Sequence, residues 1–127
     1  MNERSKERMR AQHQAIYDAL LTFNLPVFED EPTESEYPAL LNMLFVVYGD
    51  FHKGGSIGHL NQEIYVVYVS EDNPDVETTT IDLISAVVKV STVEFDRTIK
   101  ERAQKKDSDD YIDQVTLVFK RKVAYEH

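Results

Sequence analysis

The chain has no cysteine and only four glycines and four prolines among its 127 residues. Without cysteine, disulfide cross-links, zinc sites with thiolate ligands and thiol nucleophiles are all excluded. Stability therefore has to come from packing. A chain of this length that is 42% hydrophobic can bury one real core. We expect a single domain over residues 1–127.

Long apolar runs are also lacking. No stretch of about 18 apolar residues occurs, and the amino-terminal sequence MNERSKERMR is charged, with no apolar segment after it. The sequence therefore predicts no membrane span and no secretory signal. We expect a protein that is soluble and intracellular when it is synthesised.

Basic residues are scarce in the middle of the chain. The net charge is -9, and residues 29–96 carry fourteen acidic groups against two basic ones. A protein that binds nucleic acid directly needs a basic face to neutralise phosphates. The residues that could supply one are Lys100, Arg102, Lys105, Lys106 and the triplet Lys120, Arg121 and Lys122. The sequence does not favour direct nucleic-acid binding.

Catalytic and metal-binding motifs are missing as well. The sequence GGSIG precedes a strand and lacks the lysine and threonine of a phosphate-binding loop. Asp107, Asp109 and Asp110 lack the glycine and closing glutamate of a calcium loop. His13 has no metal-ligating residue at i+4, and His52 and His59 share a loop without a carboxylate at ligand spacing. We predict a non-enzymatic protein without cofactor or metal.

Two segments have helical periodicity. Met9, His13, Ile16, Leu20 and Phe23 recur on one face of a first helix that Asn24 and Pro26 end. Asn73 and Pro74 are typical of a helix start, and the apolar stripe that follows predicts a second helix ending near Val90.

Four segments read as strands: residues 39–48, 64–69, 93–100 and 115–123. The element order is then α-β-β-α-β-β. Consecutive strands usually pair antiparallel, and two amphipathic helices can cover one face of a four-stranded sheet. The sequence predicts a two-layer α+β sandwich with a mainly antiparallel sheet. Residues 50–60 and 101–110, rich in glycine or charge, are predicted to be long flexible loops, mobile in a free monomer.

The segment EDEPTESEYP, residues 29–38, places five carboxylates directly before the first strand. Its two prolines cannot donate ladder hydrogen bonds, and Pro38 favours an extended Tyr37. We expect this segment to run extended and solvated along the sheet edge, where its charges oppose aggregation of the apolar strand. Neutralising the five acids is then expected to promote aggregation with little loss of fold.

The first predicted strand is apolar on both faces. Its even positions are Leu40, Asn42, Leu44, Val46 and Tyr48, which suits either an oligomer surface or burial under a helix layer. The acidic middle of the chain and its basic end suit head-to-tail packing of subunits, although a solvated acidic face explains the same charges.

Several features in this order resemble tail terminator and tail-completion proteins of long-tailed bacteriophages. They are Leu20, the VFED element after Pro26, Tyr37-Pro38-Ala39, Tyr48, NQEIY at residues 61–65, the acidic helix start after Ser70, and a late strand at residues 115–123 behind KDSDD. The resemblance covers residues 12–123 and rests on order and pattern.

The resemblance implies a structural neck protein of a phage or prophage virion, assembled in the cytoplasm of the bacterial host. Such a subunit forms a ring, commonly hexameric, that caps the tail tube or joins tail to head. Its partners would be further copies of itself, the tail tube protein and a head completion or connector protein. A small cellular interaction or regulatory domain without catalytic activity is the alternative.

Interface candidates follow from the acidic segment, the first loop and the second loop. In the ring we expect the first loop to reach along the axis and the second to meet the acidic segment of a neighbour. The candidate residues are Glu29, Asp30, Glu31, Glu34, Glu36, Asp50, Phe51, His52, Lys53, Ile57, Arg102, Lys105 and Lys106.

Overall fold

The computed structural model describes every residue except Lys106, Asp107 and His127. Its described residues form helices α1 (Glu3–Leu21) and α2 (Val76–Val88) and strands β1 (Val27–Glu29), β2 (Asn42–Lys53), β3 (His59–Glu71), β4 (Val93–Gln104) and β5 (Tyr111–Ala124). A turn of 3-10 helix, Glu34–Glu36, lies between β1 and β2. Neither α-helix is long and apolar enough to cross a membrane. The predicted α+β class with two helices is confirmed.

The sheet has five strands in the order β1-β2-β3-β5-β4, so the predicted four-stranded sheet and the order α-β-β-α-β-β are wrong. The antiparallel pairing of β2 with β3 and of β4 with β5 is as predicted. β1 pairs parallel with β2, which makes the sheet mixed. Its three residues follow Pro26 and are too few to show an alternating pattern. β1 was therefore missed in the sequence.

The main core lies between the two helices and one face of the sheet. Ile16 and Leu20 of α1 and Leu83 and Val87 of α2 are fully buried against the strands. Leu44, Val46 and Tyr48 belong to this cluster, so the even positions of β2 lie under the helices. Of the two interpretations of that apolar face, helix coverage is the one the fold adopts. The opposite face carries a smaller buried cluster of Met43, Phe45, Val67 and Val69.

Both predicted long loops are wrong in extent. β2 continues to Lys53 and β3 begins at His59, so residues 54–58 alone connect them. The Gly54 N–H donates to the His59 carbonyl at 3.0 Å, and a Cβ on Gly54 would lie 2.5 Å from that same oxygen. Gly58 has φ 85°, in the left-handed region. Glycine here permits a close turn between long strands.

The second predicted loop is shortened in the same way. β4 continues through Glu101 to Gln104, and β5 begins at Tyr111. Residues 101–104 were assigned to a loop because they are charged and contain no large apolar side chain. They lie on an edge strand that is exposed on both faces, where polar side chains are tolerated at every position.

The acidic segment is not extended throughout, contrary to the prediction. Its 3-10 turn is closed by a capping box between Thr33 and Glu36, and Pro32 is buried. Tyr37 does have extended backbone angles, φ -63° and ψ 137°, as its position before Pro38 predicted. The sequence analysis did not recognise the capping box that Thr33 and Glu36 form.

Candidate interaction surfaces

The five carboxylates of the acidic segment are all exposed. Glu29 ends β1, and the Asp30 N–H donates to the Val46 carbonyl at 2.8 Å, so the segment leaves the sheet in a defined direction. Glu36 accepts hydrogen bonds from the backbone N–H and the hydroxyl of Thr33, and these lower the pKa of Glu36. The carboxylates of Glu31 and Glu34 face solvent. The segment therefore presents a structured acidic surface.

The β2–β3 hairpin exposes apolar side chains near its tip. Ile57 is 78% exposed and Phe51 is 49% exposed. Two hydrogen bonds anchor the turn that joins β2 to β3. One, of 3.0 Å, joins the side chains of Ser56 and His59, and in the other the Tyr125 N–H donates to the Gly58 carbonyl at 2.9 Å. Asp50, His52 and Lys53, which were predicted to lie in a loop, belong to β2 and are exposed. The tip is an ordered apolar surface.

Of the three basic interface candidates in the second predicted loop, two have partners within the chain. The Arg102 Nε and Nη2 donate to the two carboxylate oxygens of Asp113 at 2.8 and 3.1 Å, and the guanidinium lies 4.2 Å from the centre of the Tyr111 ring. The Asp113 side chain is fully buried, and its hydrogen bonds with Arg102 lower the pKa of Asp113. Lys105 contacts Glu71 at 3.2 Å. Lys106 lies outside the described residues.

A buried cation was not recognised in the sequence. Arg121 of β5 is 2% exposed, and its Nε and Nη2 donate to the Gln62 side-chain oxygen at 2.8 and 2.6 Å. Its Nη1 donates to Gln12 of α1 at 2.7 Å. The Tyr48 ring centre lies 5.1 Å away. Burial lowers the pKa of Arg121, and within the described chain no carboxylate forms an ion pair with it.

His13 joins this buried cluster. Its ring stacks on Tyr48 with 3.9 Å between the ring centres, and its Nε2 is buried without a hydrogen-bond partner in the described structure. Burial and the charge of Arg121 lower the pKa of His13. Burial raises the pKa of Tyr48 to about 12. The cluster thus joins α1 to the sheet through neutral rings and amides around one charged guanidinium. Alternation within β5 places Arg121 on the helix side, a signal that the KRK triplet obscured.

A concave surface borders this cluster and carries basic groups that composition did not reveal. It is lined by α1, by the end of α2 and by the outer parts of β3 and β5. Arg8, Lys89 and Lys122 line it and are exposed. None of the ion pairs found among the described residues involves these three. With Lys120 and Arg121 the lining holds five lysines and arginines against the three acids Asp18, Glu63 and Glu94, so the concavity is weakly basic in a chain of net charge -9.

Three acids meet at the opposite end of the sheet. Glu71, Asp72 and Asp110 place carboxylate oxygens within 4.8 Å of one another. Glu71 is engaged by Lys105, and an oxygen of Asp72 accepts the Tyr111 N–H at 2.9 Å. These contacts hold the connection between β4 and β5 against the end of β3. The acidic cluster is therefore explained as part of the connection between β4 and β5.

No protein-family model matches this chain, and no curated protein sequence matches it. Its fold is similar to that of a chain in the solved virion of a native gene transfer agent (GTA) particle, with a TM-score of 0.55 and 13% sequence identity. The similarity covers 87% of this chain and 92% of that chain. At this identity the similarity establishes a shared fold.

Proposed function

We propose that this protein is a structural subunit of a phage or phage-like virion. The observation that carries the proposal is the fold it shares with a chain of a gene transfer agent virion, over nearly the whole length of both chains. A fold by itself does not determine function. Support from this chain is its exposed acidic segment and its apolar hairpin tip, surfaces that suit contacts between subunits.

We further propose that it acts in the neck, where a ring of subunits, six in the expected case, caps the tail tube or joins the tail to the head. In a ring each subunit uses two different surfaces, one for each neighbour. An acidic surface and a basic surface on the same subunit meet this requirement, since opposite charges attract and like charges repel.

The acidic segment would meet the concave basic surface of the next subunit. Glu31 and Glu34 supply exposed carboxylates, and Arg8, Lys89 and Lys122 supply exposed cations without an ion pair among the described residues. Arg102 and Lys105 are less suitable than the sequence predicted, because each already contacts a carboxylate of its own chain. The hairpin tip with Ile57 would contact the tail tube protein or the connector.

Deleting the gene from the phage or prophage that encodes the protein tests the proposal. If the protein caps the tail tube, electron microscopy of the lysate should show tubes of uncontrolled length. If it joins tail to head, the lysate should contain filled heads and finished tails that are not attached to each other. Either outcome supports the neck assignment and separates the two roles.

The control is the same deletion with the wild-type chain supplied from a plasmid, which should restore complete particles. Complete, infectious particles in the uncomplemented deletion would refute the virion role. The alternative of a cellular interaction or regulatory domain would then be the one to pursue.

A further inference from the structure

β4 is a long strand with an unpaired edge. It runs for twelve residues, about twice the usual strand length, and lies at the end of the sheet with β5 as its neighbour. Every residue from Glu94 to Gln104 is exposed. The strand contains no proline, although a bulge interrupts its register between Phe95 and Arg97. An exposed edge of this length is a template for another strand.

Past the bulge, β4 is complementary in charge to a reversed copy of itself. Arg97, Ile99 and Glu101 pair in uninterrupted register with Val118, Thr116 and Gln114 of β5, so their side chains share one face. An antiparallel copy of this stretch would read Glu101, Ile99 and Arg97 along the same face. Each arginine would then lie opposite a glutamate, and isoleucine opposite isoleucine.

We infer that two copies of this chain pair through β4, antiparallel, about a two-fold axis at Ile99. Arg97 of each copy lies opposite Glu101 of the other, and Thr98 lies opposite Lys100 of the other. In an antiparallel pair, directly opposite residues form either a hydrogen-bonded or a non-hydrogen-bonded pair. The register is possible whichever of the two the facing Ile99 residues form. Opposite charges on facing positions of neighbouring strands stabilise a sheet, and like charges destabilise it.

The side chains at these positions can form the pair. Arg97 is half exposed; it already contacts its neighbour Asp96 and lies 4.0 Å from Glu63, so pairing requires its guanidinium to exchange or share these contacts with Glu101 of the other copy. Glu101 has no ion-pair partner among the described residues. Ile99 is 45% exposed, and pairing would cover it.

Pairing of this kind ends at two copies, because it uses the same edge of both. It cannot by itself close a ring, so the ring proposed above requires other surfaces. The inference depends on the residues of β4 and not on a role in a virion. Charges on an edge strand also serve to keep a monomer soluble, and the experiments separate that explanation from pairing.

Single cysteines test the register, since the natural chain has none. Under mild oxidation, Ile99→Cys should form a disulfide-linked dimer, because the two Cβ atoms would face each other across the axis. Thr98→Cys is the matched control and should not be cross-linked under the same conditions, because Thr98 lies opposite Lys100 of the other copy. Equal, slow cross-linking of both variants, or cross-linking of Thr98→Cys in preference, would overturn the inference.

Charge exchange tests the attraction on the cysteine-free protein. Arg97→Glu should weaken dimerisation at least about tenfold in analytical ultracentrifugation, because two facing pairs become repulsive. The double variant Arg97→Glu/Glu101→Arg should restore it, since the facing charges are again opposite. Arg4→Glu, an exposed reversal on α1, should change nothing. A wild-type protein that stays monomeric at about 100 micromolar, a concentration that corresponds to roughly 5.5 kcal/mol of association free energy, would refute the pairing. So would a double variant that dimerises as weakly as the single one.

Discussion

β3 and β4 have nearly the same length and opposite surroundings. β3 lies between β2 and β5, and it is buried at Ile64, Val66 and Tyr68 under the helices as well as at Val67 and Val69 on the other face. β4 has one neighbour in the sheet and is exposed from Glu94 to its end. The position of a strand in the sheet, and not its length or its pairing partner, sets how much apolar side chain it has to supply.

The largest expected effect contrasts a central position with its edge partner. Leu117 of β5 is fully buried and lies opposite Thr98 of β4. Leu117→Ala should lower the free energy of unfolding by about 2–5 kcal/mol, because it removes buried contacts and leaves a cavity. Thr98→Ala should change it by less than about 0.5 kcal/mol. Urea unfolding followed by circular dichroism measures both, and similar losses would contradict the contrast.

A smaller loss of stability is expected when the buried hydrogen bonds between Arg121 of β5 and Gln62 of β3 are removed. Arg121→Met removes the donors that satisfy the buried oxygen of Gln62, and it should cost about 1–3 kcal/mol. The double variant Arg121→Met/Gln62→Leu should recover part of that loss, because the buried oxygen of Gln62 is then removed too, although the half-buried Gly49 carbonyl loses the Gln62 donor. The exposed neighbour Lys122→Met is the control.

The same variant has a second readout in the titration of His13. Burial and, to a smaller extent, the charge of Arg121 lower the pKa of His13, so NMR titration should show that pKa rising in an Arg121→Met variant that keeps His13 buried. An unchanged His13 titration in a folded variant would show that the guanidinium does not act on the imidazole.

The smallest change in stability is expected from the ion pair between Arg102 of the edge strand β4 and Asp113 of β5. Arg102 lowers the pKa of Asp113 below the ordinary value of 3.8, so the folded state releases its proton more readily than the unfolded state. The stabilisation is fully present above pH 3.8 and is lost as the pH falls through the folded pKa. Because Arg102 is more than half exposed, solvent screens the ion pair and we expect only a small stabilisation.

Asp113→Asn should therefore be slightly less stable than the wild type at pH 7, with a difference that shrinks below pH 3.8. Thermal melts across this range measure it. Asp109→Asn, an exposed acid in the adjoining turn, is the control and should follow the wild type. A difference that grows on acidification would show that the pKa of Asp113 is raised in the folded state.

The helices and the central strands could be predicted because their burial is repeated at regular spacing. Ile16 and Leu20 lie one helical turn apart, and Ile64, Val66 and Tyr68 alternate. The last four residues of β4, residues 101–104, were predicted to be loop, since they carry no large apolar side chain and an edge strand exposed on both faces does not need one. Of the candidate site, the exposed acidic segment was predicted, whereas the concave basic surface was not, because Arg8, Lys89 and Lys122 come from three separate elements.

Periodicity and composition by themselves determined the class of fold, two helices packed on one face of a sheet, and the absence of thiol chemistry. Tertiary structure decided the parallel addition of β1, the close hairpin turn at Gly54 and the partners of Arg102 and Arg121. The physical reason is the distance along the chain between the residues that interact. Burial along one element repeats within a few residues, whereas a parallel strand, a close backbone approach or an ion pair joins residues that only the folded chain brings together.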